Sequence, residues 1–187
     1  MDPYEPSADS FLLLKAAESW LEKNAKPGMR ILDMGTGTGF IATNIARFLG
    51  NKGVKAALWA SDIDTVRLPK NIKFIRSDLF GKIPGKFDLI VFNPPYLPAS
   101  MHDKYLSKRE KKQLIGGRKG NELALKFIEQ LPHHLSPDGA CLLLASSLSR
   151  PGEIADRAEG LGLRMETILE ERHPFERLSV FLIGGPK

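Results

Sequence analysis

Short apolar runs alternate with amphipathic stretches along most of the 187-residue chain. Runs of mostly apolar residues predict buried strands, and they lie at residues 29–34, 57–62, 72–78, 87–92, 139–145, 165–169 and 178–183. Stretches with apolar residues on one helical face predict helices, at residues 10–24, 40–49, 121–131 and 151–160. Strands that alternate with helices form mostly parallel sheets with helices on both faces. The pattern therefore predicts a single α/β domain over residues 1–187, with residues 1–27 as a helical lead-in.

The connection between the second and third predicted strands is unusually short. Only residues 63–71 separate the two strands, and Pro69 interrupts this segment. A crossover between parallel strands normally takes a dozen or more residues, so we expect little or no helix here. The third strand should then lie at the edge of the sheet, where exposed backbone groups invite pairing with another chain. The alternative is that the N-terminal residues or side chains such as Lys70 and Lys73 shield this edge.

A glycine-rich turn follows the first predicted strand. Gly35-Thr36-Gly37-Thr38-Gly39 connects the strand that ends at Asp33-Met34 to the predicted helix at 40–49. Strand, glycine turn and helix form the dinucleotide-binding geometry, and glycine lets the backbone pass close under an adenosyl cofactor. The spacing G-x-G-x-G departs from G-x-G-x-x-G and so argues against NAD. Taken alone, the motif fits an ordinary βα turn equally well.

Two further strands end at acidic residues. Asp62 ends the second strand, where a carboxylate can accept both hydroxyls of a ribose. Asp78 ends the third and can accept a hydrogen bond from an adenine amino group, while Ile63 and Leu79 are apolar neighbours suited to sandwiching the ring. Each acid alone is more often a helix cap or turn residue. Because open α/β sheets bind ligands at strand carboxyl ends, their coincidence there favours an adenosyl site.

A rigid polar segment follows the apolar run at 87–92. Asn93-Pro94-Pro95-Tyr96 contains two prolines, which fix their own φ and push the preceding residue toward extended geometry. The Asn93 side-chain oxygen and the Pro94 carbonyl are two acceptors for a planar amino group, and Tyr96 can pack on its flat face. We call residues 93–96 the shelf. Methyl transfer to nitrogen is one reaction that needs a nitrogen oriented in this way.

With these motifs the chain resembles class I S-adenosylmethionine-dependent methyltransferases. More closely, it resembles the HemK family of protein N5-glutamine methyltransferases, in its short archaeal and eukaryotic branch. The resemblance covers nearly the whole chain, and its most specific parts are Tyr4-Glu5-Pro6 and Gly116-Gly117-Arg118. One departure is Ala8, where the family's opening motif usually carries an acid.

The resemblance implies a Rossmann-like, seven-stranded, mostly parallel sheet with S-adenosylmethionine as cofactor. It implies cofactor contacts for Ser10, Asp33, Gly35, Gly37, Asp62, Ile63, Asp78, Leu79 and Asn93. It implies that Asn93 and Pro94 orient the acceptor nitrogen and that Tyr96 flanks it. The acceptor would be the glutamine of a Gly-Gly-Gln loop in a translation release factor.

Other acceptors and roles stay open at this point. The same site suits protein lysine methylation, or N-methylation of adenine or guanine in DNA or RNA with the base flipped out. The net charge of +5 supports a nucleic acid, whereas the lack of a separate recognition domain counts against it. A non-catalytic binding subunit is disfavoured by the intact motifs. For the third-strand edge, the candidate partners are a second copy of the chain or a small zinc-binding activator like the one that assists related methyltransferases.

Positive charge is concentrated just after the shelf. Residues 101–120 carry a net charge of +5, equal to that of the whole chain. This basic segment is either a solvated loop or a docking surface for an acidic partner or phosphates. Tyr105 is its only aromatic residue, which argues against a channel for single-stranded nucleic acid.

Composition adds limits on location and metal binding. The single Cys141 cannot form an internal disulfide, and no Cys/His spacing predicts a metal site. No apolar run reaches the length of a membrane span, and no signal core follows Met1. We therefore expect a cytoplasmic protein that does not bind membranes.

Overall fold

The computed structural model describes residues 7–185, apart from the side chains of residues 101, 102 and 109. Tyr4-Glu5-Pro6, one of the two most specific sequence motifs, thus lies outside the described residues. The helices are α1 (Ala8–Asn24), α2 (Phe40–Asn51), α3 (Lys108–Leu114), α4 (Glu122–His134) and α5 (Pro151–Gly160). The strands are β1 (Arg30–Met34), β2 (Ala57–Asp62), β3 (Ile72–Arg76), β4 (Phe87–Phe92), β5 (Leu97–Pro98), β6 (Ile115–Gly117), β7 (Leu135–Ser146), β8 (Arg164–Arg172) and β9 (Arg177–Gly184).

Within the described residues, seven strands form one sheet in the order β3-β2-β1-β4-β7-β9-β8. The pairs from β3 to β7 are parallel, and β9 runs antiparallel to both β7 and β8. The predicted Rossmann-like, mostly parallel sheet is confirmed. A separate pair of short parallel strands, β5 and β6, lies outside it.

Helices cover both faces of the sheet, and β4 shows how the sequence builds the two layers. Leu89 and Val91 pack with α1 and α2 on one face, whereas Ile90 and Phe92 pack with α4 and α5 on the other. All four side chains are buried, because a central parallel strand has helices on both sides and reads as a continuous apolar run. Each contributes about 1.5–3 kcal/mol to folding through burial.

The connection between β2 and β3 contains no helix, and β3 lies at the edge of the sheet. Both predictions for this segment are confirmed. The half-buried ring of Trp59 on β2 is covered by cations: the Lys73 ammonium lies 4.0 Å from the ring centroid and the Arg30 guanidinium 5.2 Å. The Arg76 side chain turns back from β3 and donates to the Ile63 carbonyl at 2.8 Å.

The predicted end of helix α4 and the predicted loop in the basic segment need correction. Helix α4 does not end at Leu131 but runs through Pro132 to His134, a difference of three residues at a helix terminus, where boundaries are least sharply defined. The basic segment is not a plain loop either, since it contains α3 and β6. A capping box starts α3: Ser107 Oγ accepts the Glu110 N–H at 3.2 Å, and Glu110 Oε2 accepts the Ser107 N–H at 2.7 Å.

No helix in the described part of the chain has the length and apolar character needed to cross a membrane.

Candidate active site

A cleft of about 740 Å³ opens at the carboxyl ends of β1, β2 and β4. Its volume is within the usual range for small-molecule sites, roughly 300–1,000 Å³. All of the predicted site residues except Asp33 line it, namely Ser10, Gly35, Gly37, Asp62, Ile63, Asp78, Leu79, Asn93, Pro94 and Tyr96. Segments far apart in the sequence therefore converge on one cavity.

The glycine turn forms one wall of the cleft. Gly35, Gly37 and Gly39 have φ of +63°, +57° and +82°, a left-handed conformation that favours glycine. A Cβ atom at Gly37 would lie 3.9 Å from the Gly35 carbonyl, its nearest neighbour, and would otherwise occupy open space. The turn thus leaves room for a ligand to approach its backbone.

Asp33 lies beneath this turn. Its side chain is buried, and its Oδ2 accepts hydrogen bonds from the Thr36 hydroxyl at 2.6 Å and the Ala42 N–H at 3.0 Å. Burial raises the pKa of Asp33 to about 7, and the nearby charge of Asp62 adds to this effect, while the two hydrogen bonds oppose it. Asp33 therefore connects the turn to the start of α2 and shapes the cleft from below.

The ends of β2 and β3 supply a fixed carboxylate and two apolar groups. Asp62 Oδ2 accepts the Gly37 N–H at 2.9 Å, and its Oδ1 accepts the Asp64 N–H at 3.0 Å. Leu79 has φ +43°, a strained value for a leucine, and Ser77 supports it by donating to its carbonyl at 2.9 Å. The Leu79 side chain is buried in the wall, whereas Ile63 remains 41 % exposed at the same cleft.

The shelf presents an unused acceptor. Asn93 Nδ2 donates to Asp9 Oδ2 at 3.1 Å, whereas the buried Asn93 Oδ1 has no hydrogen-bond partner among the described residues. A buried acceptor without a partner is costly, about 1–3 kcal/mol, and it marks where a donor from a ligand would fit. Pro94, the next residue, lines the same cleft.

Sequence reasoning missed Asp9. It lies in the first turn of α1, is 5 % exposed and lines the cleft. An acid in a first helical turn is common because it interacts favourably with the helix dipole. No local signal indicates that this carboxylate reaches a residue 84 positions away.

The Gly-Gly-Arg segment, residues 116–122, packs directly against the shelf. A Cβ atom at Gly116 would lie 2.3 Å from the Pro95 carbonyl oxygen, and one at Gly120 would lie 2.4 Å from the Tyr96 carbonyl oxygen. Strand β6 pairs with β5, the strand that continues the shelf, and the Ala99 N–H donates to the Gly117 carbonyl at 2.9 Å. These glycines are required because backbone meets backbone at this point.

A carboxylate on α5 holds the end of the Gly-Gly-Arg segment. Glu153 accepts hydrogen bonds from Asn121 Nδ2 at 3.0 Å and Lys119 Nζ at 3.1 Å, and Arg150 forms an ion pair with it. These three partners, Asn121 first, lower the pKa of Glu153 to about 2. The segment that supports the shelf is thereby anchored to the body of the fold.

The fold and the cleft together define the class I methyltransferase arrangement: a mostly parallel sheet with a reversed last strand, a glycine turn after β1 and an acid at the end of β2. Comparisons with known proteins agree, because residues 10–109 match the methyltransferase small domain family. MJ0928 of Methanocaldococcus jannaschii, assigned by name to the protein N5-glutamine methyltransferases, is 37% identical over 187 residues, covering 95% of this chain and 89% of that protein. Mouse Methyltransferase HEMK2 is 32% identical over 191 residues, covering 96% and 88%.

Among solved structures, the chain is similar to one in the E. cuniculi Mtq2–Trm112 complex, which is described as responsible for methylation of the eRF1 translation termination factor. The two chains superpose with a TM-score of 0.73 at 23% identity, over 100% of both. This similarity concerns the fold. From the family match and the near full-length relatives, the chain belongs to the methyltransferase small domain family and, within it, to the HemK group.

Proposed function

We propose that this chain is an S-adenosylmethionine-dependent methyltransferase that methylates the glutamine side chain of a Gly-Gly-Gln loop in a translation release factor. The observation that carries the proposal is that the buried Asn93 Oδ1 has no hydrogen-bond partner among the described residues, while Pro94, the next residue, lines the same cleft. Two adjacent acceptors match the two hydrogens of a primary amide. The names of the relatives MJ0928 and HEMK2 and of the Mtq2 complex support this class of acceptor. A release-factor substrate also implies a cytoplasmic location.

The residues present fit the cofactor. The open glycine turn would hold its amino-acid part near Ser10, Asp62 would accept the ribose hydroxyls, and Asp78 with Ile63 and Leu79 would hold the adenine. When bound, S-adenosylmethionine supplies an electrophilic methyl group.

The shelf addresses the weak nucleophilicity of an amide nitrogen, whose lone pair is delocalised into the carbonyl. Asn93 Oδ1 and the Pro94 carbonyl would hold the two N–H groups and turn the lone pair toward the methyl carbon. Orientation and preorganised dipoles then lower the barrier. The oriented nitrogen would form a bond to the methyl carbon as the cofactor's carbon–sulfur bond breaks, and it would then release one proton to solvent.

The test measures transfer of a labelled methyl group to four acceptors: a release factor, the same factor with its Gly-Gly-Gln glutamine changed to alanine, a lysine-bearing peptide and structured RNA. We expect label only in the unmodified factor, and peptide mass spectrometry should place it on the glutamine. Asn93→Ala should lower turnover by about 10²–10³, while cofactor affinity stays within a few-fold. Labelling of the peptide or the RNA in place of the factor would assign a different acceptor, and full turnover by Asn93→Ala would remove its orienting role.

We also propose that the β3 edge binds a second protein, either a small zinc-binding activator or another copy of the chain. The two edges of the sheet differ. Strand β8 carries a register shift between Thr167 and Leu169 and exposed acids, features that discourage pairing. Strand β3 keeps an uninterrupted register with β2. The Lys73 and Arg76 side chains fold back onto Trp59 and Ile63, and so do not lie across the edge.

Pull-down with a small zinc-binding protein and light scattering of the isolated chain test this second proposal. Hydrogen exchange should show β3 amides that become protected when the partner is added. A monomer that is fully active alone and whose β3 amides are already protected would contradict it.

A further inference from the structure

The contact between Asp9 and Asn93 joins the start of α1 to the catalytic shelf. Asp9 Oδ2 lies 3.1 Å from Asn93 Nδ2, and its other oxygen, Oδ1, accepts the Ser10 N–H at 2.6 Å and the Ser7 hydroxyl at 2.5 Å. Both carboxylate oxygens are therefore engaged, and the side chain is 5 % exposed. We propose that Asp9 is a positioning residue that sets the orientation of the Asn93 amide for methyl transfer. This inference rests on the proposed function.

The physical need for such a residue comes from the shape of an asparagine side chain. Its oxygen and its NH₂ group have nearly the same size, so packing alone distinguishes the two orientations poorly. In the reversed orientation, the NH₂ group of Asn93 would face the NH₂ group of the acceptor, and neither could accept. An ionised carboxylate only accepts hydrogen bonds, so Asp9 admits Nδ2 and excludes Oδ1. The partnerless Oδ1 is thereby turned away from Asp9.

The negative charge of Asp9 adds a second effect. A hydrogen bond from an amide to a carboxylate is roughly twice as strong as one between neutral groups, and linked hydrogen bonds polarise one another at low dielectric. The Asn93 oxygen becomes a better acceptor as a result. During transfer the acceptor nitrogen gains positive charge and its hydrogens become more acidic, so this bond strengthens in the transition state. An interaction that is stronger in the transition state raises kcat.

A purely structural role as a helix-start residue makes different predictions. Asp9 lies in the first turn of α1, so Asp9→Asn removes its interaction with the helix dipole, worth about 0.3–1 kcal/mol, and should lower the melting temperature by only a few degrees. The same change replaces the carboxylate by an amide, which can either accept from Asn93 Nδ2 or donate to Asn93 Oδ1. The Asn93 side chain is then no longer held in one orientation. We expect kcat to fall by about 10–100-fold and the acceptor KM to change by less than threefold. Glu22→Gln, a change on the same helix at a residue paired with Lys52, is the matched control and should keep wild-type kcat.

A double-mutant cycle identifies the group through which Asp9 acts. Once Asn93→Ala has removed the amide, adding Asp9→Asn should lower kcat by less than twofold further. If the two losses multiply instead, Asp9 acts independently of Asn93 and the proposal is wrong.

An NMR readout makes the test independent of the acceptor. The side-chain NH₂ resonances of Asn93, assigned by their loss in Asn93→Ala, should exchange slowly with water in the wild type. In Asp9→Ala they should exchange at least ten times faster. Unchanged exchange would overturn the proposal even if release-factor methylation is confirmed, and accelerated exchange would support the contact even if the acceptor proves to be another amine.

Discussion

Gly116→Ala adds one methyl group between the Gly-Gly-Arg segment and the shelf. Gly116 lies outside the left-handed region, so an alanine is compatible with its backbone conformation. Space is the obstacle, because the new Cβ would lie 2.3 Å from both the Pro95 and the Gly120 carbonyl oxygens. Ordinary contacts of a Cβ atom begin at 3.4 Å. The backbone of β6 and the shelf must therefore separate by about 1 Å, as overpacked sites do.

The size of the expected loss in kcat depends on which atoms this displacement moves. Pro95 is the third residue of the shelf, so a shift of about 1 Å is passed to the acceptors at Asn93 and Pro94 and should lower kcat by about 10²-fold. Overpacking should also lower the free energy of unfolding by about 1–3 kcal/mol, which leaves a typical domain folded at 25 °C. Cofactor affinity should stay within a few-fold, since the glycine turn and Asp62 lie on other strands.

The assay compares three quantities for the same preparation. Methyl transfer at saturating cofactor gives kcat, calorimetry gives the cofactor Kd, and thermal melting reports stability. Gly152→Ala on α5 is the matched control, because no atom lies within 4 Å of its added Cβ; it should leave kcat and the cofactor Kd unchanged and raise stability by about 0.5–1 kcal/mol, as alanine does in a helix. If Gly116→Ala keeps kcat within threefold of wild type, the shelf does not depend on β6 for its position.

Three further changes test separate parts of the site. Asp62→Ala should weaken S-adenosylmethionine binding by about 1.5–3 kcal/mol through lost hydrogen bonds to ribose; calorimetry that detects no loss, or that detects NAD binding, would contradict the assigned cofactor. Replacing Lys108 and Lys111 by Gln should raise KM for the protein acceptor and flatten its salt dependence at unchanged cofactor Kd. An unchanged KM at low salt would mean that the basic segment is only a solvated surface. The pKa of Asp33 is about 7 in the fold, against an ordinary value of 3.8. Between these two pH values the folded state therefore binds a proton that the unfolded chain does not. The free energy of unfolding should fall by about 1.4 kcal/mol per pH unit as the pH rises from 4 to 7, and it should level off above pH 7. Asp33→Asn should remove this slope in denaturant titrations without cofactor, and an equal slope in both proteins would show that Asp33 is ionised in the fold.

The strands and their ligand-binding edge could be predicted because both depend on local sequence. In β4 the apolar run ends where Asn93 begins, and Asp62 ends β2 in the same way. Parallel strands share one direction, so residues at their carboxyl ends meet without further information. The start of helix α3 could also have been predicted, since Ser107 and Glu110 form a capping-box pattern. The density of lysines around that pattern favoured the interpretation as a solvated loop.

Other parts of the site depend on contacts that no local pattern reports. Asp33 belongs to the same series of strand-end acids as Asp62, yet it lies beneath the cleft, and the depth of a side chain is set by the helix packed over it. Asp9 meets Asn93 across 84 residues. The orientation of an amide, unlike its position at a strand end, therefore comes from tertiary structure alone.

The shelf is consequently a product of three chain segments. In the proposed function, residues 93–96 supply the acceptors and Asp9 determines which end of Asn93 faces the cleft. The glycines at 116 and 120 allow a backbone support where any side chain would collide. An Asn-Pro-Pro-Tyr motif without the other two segments would keep the acceptors but lose control over their direction. Since an amide nitrogen reacts only when its lone pair is turned out of conjugation, direction is the property on which its methylation depends. If the proposed function holds, the selectivity of this site for an amide depends on Asp9 and on the Gly-Gly-Arg segment as much as on the motif itself.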